Sequence, residues 1–353
     1  MAQEHRFPYR WKIADGYPAK GVESHLSTVF GTFVCGGGSS MGYKLAGFNH
    51  LGGVELDPKI AEVYKMNHHP EHMYVMDIRD FNKLQDLPAE LYNLDLLDGS
   101  PPCSTFSTAG QRENAWGKEK KFAEGQKLQT LDDLVFIYCE TIAKLHPKCF
   151  LLENVSGLVK GNAKSYAKRI VARLNSIGYD VQVFLLNSAV MGVPQARERV
   201  FFIGHRKEYT LPKLVLKFDE QPILFGEFME HLPGVNDLTE YQYEIWKQRK
   251  KTDVKFADIM KRAEGRDAWY NSQLLHKERV VPTKTTGDFF YLFEEPRKAT
   301  DYEIKCISSW PQDYKYTGKT QLNFLTGMSV PPVMTAQIAY QIWKQWIVRI
   351  KHG

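Results

Sequence analysis

Thr28-Val29-Phe30-Gly31-Thr32-Phe33-Val34-Cys35-Gly36-Gly37-Gly38-Ser39-Ser40-Met41-Gly42 is the most informative stretch of the chain. Its first seven residues are β-branched or aromatic except for Gly31, which predicts a buried strand over 28–34. The glycines and serines that follow make a turn into a helix, with Gly47 as its C-cap. A glycine-rich turn between strand and helix is where open α/β sheets hold nucleoside-type ligands. The spacing is not a clean GxGxxG, and no Gly-Lys-Ser/Thr occurs. A dinucleotide is therefore weakly indicated and a P-loop is excluded.

The same alternation continues on both sides of this stretch. Strands are predicted over 51–56, 74–78, 92–97, 149–152, 181–186 and 200–203. Leu131, Leu134, Val135, Tyr138, Ile142 and Leu145 recur at helical spacing, as do Tyr166, Ile170, Val171, Leu174 and Ile177 before Gly178. A βαβα succession of this kind predicts an α/β fold, a mostly parallel sheet covered by helices on both faces. The pattern breaks after Gly204. Residues 205–296 show weak periodicity and many aromatics. Between Lys247 and Arg266 eight cations face three acids. A final apolar helix is predicted over 332–346.

Composition narrows the class. With 353 residues, 43% hydrophobic and 25% charged, the chain is ordinary globular protein with room for about two domains. A net charge of +5 is compatible with a polyanionic partner. The five cysteines, at 35, 103, 139, 149 and 306, form no CxxC pair, so neither a disulfide framework nor a zinc ribbon is expected. His68, His69 and His72 have no companion cluster at ligand spacing, and no metal is expected. No signal-peptide core and no run of 18 apolar residues is present, so no membrane span is expected.

Four places carry candidate chemistry. Leu97-Asp98-Gly99-Ser100-Pro101-Pro102-Cys103 puts a thiol just past a strand end, on a loop stiffened by two prolines. Taken alone, such a cysteine is more often a small buried hydrophobe. Glu55 and Asp77 end the second and third strands, where acids can meet ribose hydroxyls and an adenine amine, or simply cap helices. Glu153-Asn154 ends another strand. Arg197 and Arg199 flank Glu198 and share one face of an extended segment, suited to phosphate or a base oxygen, or to surface ion pairs.

In that order, a glycine-rich loop, Pro-Pro-Cys, Glu-Asn-Val and Gln-x-Arg-x-Arg, the chain resembles the DNA (cytosine-5) methyltransferases. The resemblance spans most of 28–204 and resumes at about 297–345 with Gly327-Met328-Ser329-Val330-Pro331-Pro332. It implies a Rossmann-like S-adenosylmethionine-dependent domain with a smaller, irregular target-recognition domain. Cys103 would attack C6 of a flipped cytosine. Glu153 would bind N3 and the amine, Arg199 the O2 side, and Arg197 would support the nucleophile and a nearby phosphate. For S-adenosyl-L-methionine it implies Val34, Gly36, Gly38, Glu55, Leu56, Asp77, Ile78, Pro102, Leu134 and Val330. The 108–125 stretch would close over the base. Ser104, Val34, Gly38-Ser39, Leu131-Asp132 and Met328 depart from the usual family residues, but none of them removes a catalytic group.

The expected organisation is an arm over 1–27, a catalytic and cofactor-binding domain over 28–205 plus 322–353, and a target-recognition domain over 206–321 whose basic stretch grips phosphate. The expected partner is double-stranded DNA, methylated at C5 of cytosine within a short specific site. The expected setting is a monomer in a prokaryotic cytoplasm, of restriction-modification or orphan type. The alternatives are a tRNA cytosine-5 methyltransferase, a catalytically silent DNA-binding regulator and a nicotinamide oxidoreductase.

Overall fold

In the computed structural model the opening stretch forms strand β1, Thr28–Thr32, and helix α1, Gly38–Leu45. The structure describes residues 5–102, 134–160 and 164–352. Cys103, Ser104, the expected closing segment at 108–125 and Leu131-Asp132 lie outside the described residues. The chain continues with β2 (Asn49–Glu55), α2 (Pro58–His68), β3 (His72–Val75), α3 (Ile78–Phe81), β4 (Leu96–Gly99), α4 (Leu134–Leu145), β5 (Cys149–Val155), α5 (Lys164–Ser176), β6 (Tyr179–Asn187), β7 (Gln195–Ala196) and β8 (Glu198–Arg206). Then come α6 (Glu240–Lys247), α7 (Phe256–Glu264), β9 (Ser272–Leu275), β10 (Val281–Pro282), β11 (Phe289–Leu292), α8 (Asp301–Ile307), α9 (Lys319–Met328), α10 (Pro332–Ile342), a π-helical turn (Trp343–Ile347) and α11 (Val348–His352).

The strand expected over 28–34 ends at Thr32, those over 149–152, 181–186 and 200–203 run longer than expected, and two others shift at identifiable turns. The one expected over 92–97 begins only at Leu96, because Pro88 opens a 3-10 turn over Ala89–Tyr92. The one expected over 74–78 ends at Val75; Ile78 starts α3, and Asp77 is its N-cap.

The chain divides into two compact units. One comprises Tyr17–Asn187, Glu198–Lys217 and Thr335–Gly353. It holds a seven-stranded sheet in the order β3-β2-β1-β4-β5-β8-β6. Pairs among β3, β2, β1, β4 and β5 are parallel, whereas β8 runs antiparallel to both β5 and β6. Residues 188–197 join β6 to β8 without a crossover α-helix, which permits that reversal, and a buried apolar run reads the same in either direction. The chain leaves β1 for β2 on one side and later places β4 on the other. This makes a crevice at the carboxyl ends of β1 and β4, where open sheets bind ligands.

Side chains alternate across the sheet. Asp98 faces Tyr43 of α1, whereas the next residue, Gly99, faces Tyr138 of α4. Helices α1 and α4 therefore cover opposite faces. On the α4 face Phe30, Phe81, Leu97, Tyr138, Phe150, Ile170, Leu174 and Phe202 form one buried cluster. Each large side chain buried there contributes about 1.5–3 kcal/mol. Gly99 cannot carry a side chain, because a Cβ would lie 2.3 Å from the Tyr138 ring. Tyr138 is held in turn by its hydroxyl, 2.9 Å from both Leu97 O and Leu151 O.

The other unit comprises Met1–Gly16, Ser188–Arg197 and Phe218–Met334. Its boundaries differ from the 206 and 321 expected, for identifiable reasons. Trp11 donates its indole N–H to Ser309 O at 3.0 Å, and Ile13 N and Ala14 N bond Asp313, so the start of the expected arm packs here. Strand β7 pairs with β10, which brings in 188–197. One core gathers Ile223, Phe225, Leu292 and Ile304; a second lies between α6, α7 and β9, around Trp246, Phe256, Ile259 and Leu274. Arg297 is 1% exposed and pairs with both Glu295 and Glu303, which hold its guanidinium charged despite burial.

Candidate active site

The site in the sheet-bearing unit begins at the end of β1. Val34 is buried, and its Cγ1 lies where side chains at Gly31 or Gly53 would be, 2.7 and 2.3 Å from their hypothetical Cβ atoms. Those glycines make room for it. The backbone then turns sharply, with positive φ at Phe33, Cys35 and Gly37. Glu55, at the end of β2, reaches back. Its Oε2 accepts from Cys35 N at 2.9 Å, and its Oε1 from Leu56 N at 2.8 Å and Asp57 N at 3.0 Å. Burial raises the Glu55 pKa, and those three N–H groups oppose the rise.

Asp77 is occupied as a cap: its Oδ1 accepts from Arg79 N at 2.8 Å, and the carboxylate pairs with the Arg79 guanidinium. Ile78 and Leu134 are buried in one hydrophobic cluster. Leu56 and Pro102 are partly buried.

Two neighbouring strand ends carry the polar chemistry. On β5 the Glu153 carboxylate meets Arg199 of β8, Nε to Oε1, at 2.9 Å. The antiparallel register sets Val155 opposite Arg199 and Glu153 opposite Phe201, so Glu153 and Arg199 lie diagonally on one face. Arg199 gives a second N–H to Glu198 O at 2.8 Å. Burial lowers the Arg199 pKa, and Glu153 opposes that. Asn154 turns the other way: its Nδ2 donates to Pro101 O at 3.1 Å, and its Oδ1 accepts from Val155 N at 2.9 Å. It thus ties the double-proline loop, two residues before Cys103, to the end of β5.

Sequence reasoning passed over three residues here. Asp98 is 4% exposed and accepts from Tyr43 Oη at 2.9 Å. Burial pushes its carboxyl up to about 7; the Tyr43 hydrogen bond pulls it down, and the Glu153 charge adds to the rise. The signal available was an acid inside an apolar strand. The other two are Asn154 as a tether and Tyr138 as the brace under Gly99. Among the other thiols, burial pushes Cys139 up to about 12 and Cys149 well above its usual range, as inert core cysteines.

Arg197 and Val330 belong to the other unit. Arg197 is 2% exposed. Its Nη1 donates to Lys284 O at 2.8 Å and its Nη2 to Gly327 O at 3.2 Å, knitting the connection after β10 to the end of α9. Val330 is buried between Ser329 and Pro331. In the basic stretch, Arg262 pairs with Asp253, Arg266 with Glu264 and Lys247 with Glu244; Lys250, Lys251 and Lys261 are exposed. Among the described residues there is no group of three or more potential metal ligands, and no helix long and apolar enough to cross a membrane.

A model of the C-5 cytosine-specific DNA methylase family matches residues 28–344. The type II methyltransferase M1.HphI of Haemophilus parahaemolyticus is 27% identical over 335 residues, 90% of this chain and 87% of that protein. M.NgoMIV of Neisseria gonorrhoeae is 27% identical over 87% of this chain and 94% of its own length. M.NgoPII of the same species reaches 33%, but over 50% of this chain and 48% of its own length. The fold is shared with a mutant of Spodoptera frugiperda DNMT2 (TM-score 0.62, 17% identity, 90% of this chain and 99% of that one). It is also shared with the Dnmt2 methyltransferase of S. pombe (TM-score 0.55, 14% identity, 90% and 98%).

Proposed function

Because the chain belongs to the C-5 cytosine-specific DNA methylase family, we propose that it methylates C5 of cytosine within a short specific site in duplex DNA, taking the methyl group from S-adenosylmethionine. The observation that carries this reading is the pairing of two strand ends: at the end of β5, Glu153 held by Arg199 of β8, and beside it the double-proline loop after β4, tethered by Asn154.

The glycine loop fits an adenosyl ligand without phosphates. No Lys or Arg stands between 33 and 43. The Cys35 N–H is already given to Glu55, which takes that donor away from any phosphate. An ionised carboxylate has about four acceptor positions. Glu55 uses three of them on backbone N–H groups, which leaves acceptor capacity for a ribose hydroxyl. The same features count against a nicotinamide dinucleotide. In this assignment Val34, Gly36, Gly38, Glu55, Leu56, Asp77, Ile78, Pro102, Leu134 and Val330 hold the donor. Asp77 already caps α3, so it reads the adenine edge only with its remaining acceptor capacity. When bound, S-adenosylmethionine supplies an electrophilic methyl on a sulfonium.

Cytosine C5 is too weak a nucleophile to accept that methyl unaided. Cys103 as thiolate adds to C6, which converts the ring to an enamine nucleophilic at C5. Glu153 enters protonated and gives its proton to N3 as the thiolate adds, so no net charge is left on the ring, and Arg199 orients Glu153 and binds the O2 side. Once C5 carries the methyl group its proton passes to water and the C6–S bond breaks, returning Cys103 as thiolate. Arg197 supports the nucleophile and a nearby phosphate from a position set by its donation to Lys284 O and Gly327 O. The target base must leave the duplex to reach these groups. The unit containing α6 and α7 reads the sequence, with Lys250, Lys251 and Lys261 available to the DNA backbone.

The test is incubation with methyl-labelled donor and either duplex DNA or tRNA, followed by bisulfite sequencing. Label in C5 of DNA cytosine at a recurrent site is expected, and abolished turnover with retained DNA binding in Cys103→Ser. Label in tRNA alone would assign the RNA reaction. No label in either substrate and no adduct with 5-fluorocytosine DNA would leave a silent DNA-binding protein.

A further inference from the structure

We propose that His68, at the end of α2, is a positioning residue that sets the glycine loop, and through it the affinity for the methyl donor. The inference rests on the reading that residues 35–39 hold that donor. The His68 ring is buried and stacked on Tyr64 one turn earlier, with centroids 4.3 Å apart. Its Nε2 lies 3.2 Å from Gly36 O. A carbonyl only accepts, so Nε2 carries the proton and donates. Burial holds the imidazole down to about 3, so the ring stays neutral and that donor persists through the working pH range.

The loop abuts the Nε2 edge of this ring. A Cβ at Gly37 would sit 2.1 Å from His68 Nε2, and Gly37 has φ +79°. The peptide between Gly36 and Gly37 is fixed from both sides: its carbonyl by His68, its N–H by Val34 O at 2.8 Å. Neighbouring contacts tie α1 to the same support. Tyr64 Oη and Ser40 Oγ are 3.0 Å apart, and Lys44 Nζ donates to His68 O at 3.0 Å. His68 thus sets the plane of a loop peptide from outside the loop, and no step of the proposed chemistry uses it.

The test compares His68→Leu, which keeps bulk and removes the donor, with His68→Gln, whose amide can donate to Gly36 O. Donor affinity is read by calorimetry with S-adenosylhomocysteine, steady-state kinetics separates KM from kcat, and thermal melting verifies folding. One hydrogen bond of ordinary strength corresponds to roughly five- to tenfold in affinity. His68→Leu is expected to weaken S-adenosylhomocysteine binding and raise the donor KM by about that factor, with kcat at saturating donor and KM for DNA unchanged. His68→Gln is expected to recover most of the loss. Wild-type affinity in a folded His68→Leu, a loss confined to kcat, or no rescue by Gln would overturn the positioning role. A wild-type protein that binds neither S-adenosylmethionine nor S-adenosylhomocysteine would instead overturn the assignment of the loop.

Discussion

Replacing Asp98 with Asn should stabilise the protein at neutral and alkaline pH and leave it unchanged only below about pH 4. The Asp98 carboxyl is buried between β4 and α1, with Tyr43 Oη donating to it at 2.9 Å. Its pKa rises from 3.8 in a free chain to about 7 in the fold, chiefly through burial. Between those values the folded chain keeps a proton that the unfolded chain has released. The unfolded state therefore binds fewer protons, and stability falls as pH rises from about 4 to about 7, then levels off. A shift of about 3 units at about 1.4 kcal/mol each sets an upper limit near 4 kcal/mol; relaxation and water entry bring the expected effect to about 2 kcal/mol. Asn resembles the protonated acid in shape and still accepts from Tyr43. Thermal melts of both proteins from pH 4 to 8.5 should show a gap opening between about pH 4 and pH 7 and constant above it, with the variant a few degrees higher at pH 8. Parallel curves would refute the reasoning, because the carboxyl would then be ionised at no cost.

Three further outcomes follow from geometry. Asn154→Ala and Asn154→Asp both remove the N–H donated to Pro101 O; each should lower single-turnover methylation about ten- to hundredfold while donor affinity is retained, and unchanged turnover would show that the loop needs no tether. Gly99→Ala drives a methyl group against the Tyr138 ring, which its two carbonyl contacts hold in place; a loss of about 1–3 kcal/mol in urea unfolding is expected, and a neutral result would mean the ring can yield. Arg297→Leu leaves Glu295 and Glu303 buried without their cation; about 3–5 kcal/mol of stability should go, whereas a loss under about 1 kcal/mol would mean that water replaces the guanidinium.

The sequence carried the sheet and the candidate residues unevenly. Strand β1, its glycine turn and α1 were legible because each signal is local: β-branched residues, then glycines, then helical spacing. Glu153 and Arg199 were legible as strand-end residues, although their contact depends on an antiparallel register that no periodicity reveals. Asp98 and Tyr43 were not legible as a pair, since 55 residues separate them and an acid within Leu96–Gly99 looks like part of the strand end. Asp77 carried two meanings, strand end and helix cap, and the second describes its local structure. Residues 5–16 lack period because they pack as irregular chain, with Phe7 and Trp11 as anchors, and composition does not separate that from an arm.

The left-handed residues at the end of β1 have a wider consequence. Phe33 and Cys35 adopt φ of +56° and +47° without being glycine, each at a cost of roughly 1–2 kcal/mol. Glycine at either position would relieve the backbone strain, in part offset by the greater freedom of glycine in the unfolded chain. The loop is thus a debt carried by the rest of the sheet. Variants that erode the core lose the margin that sustains it, so donor binding should decline before the fold does. Random mutagenesis for function should accordingly find compensating changes clustered in the sheet beneath the loop rather than in the loop itself.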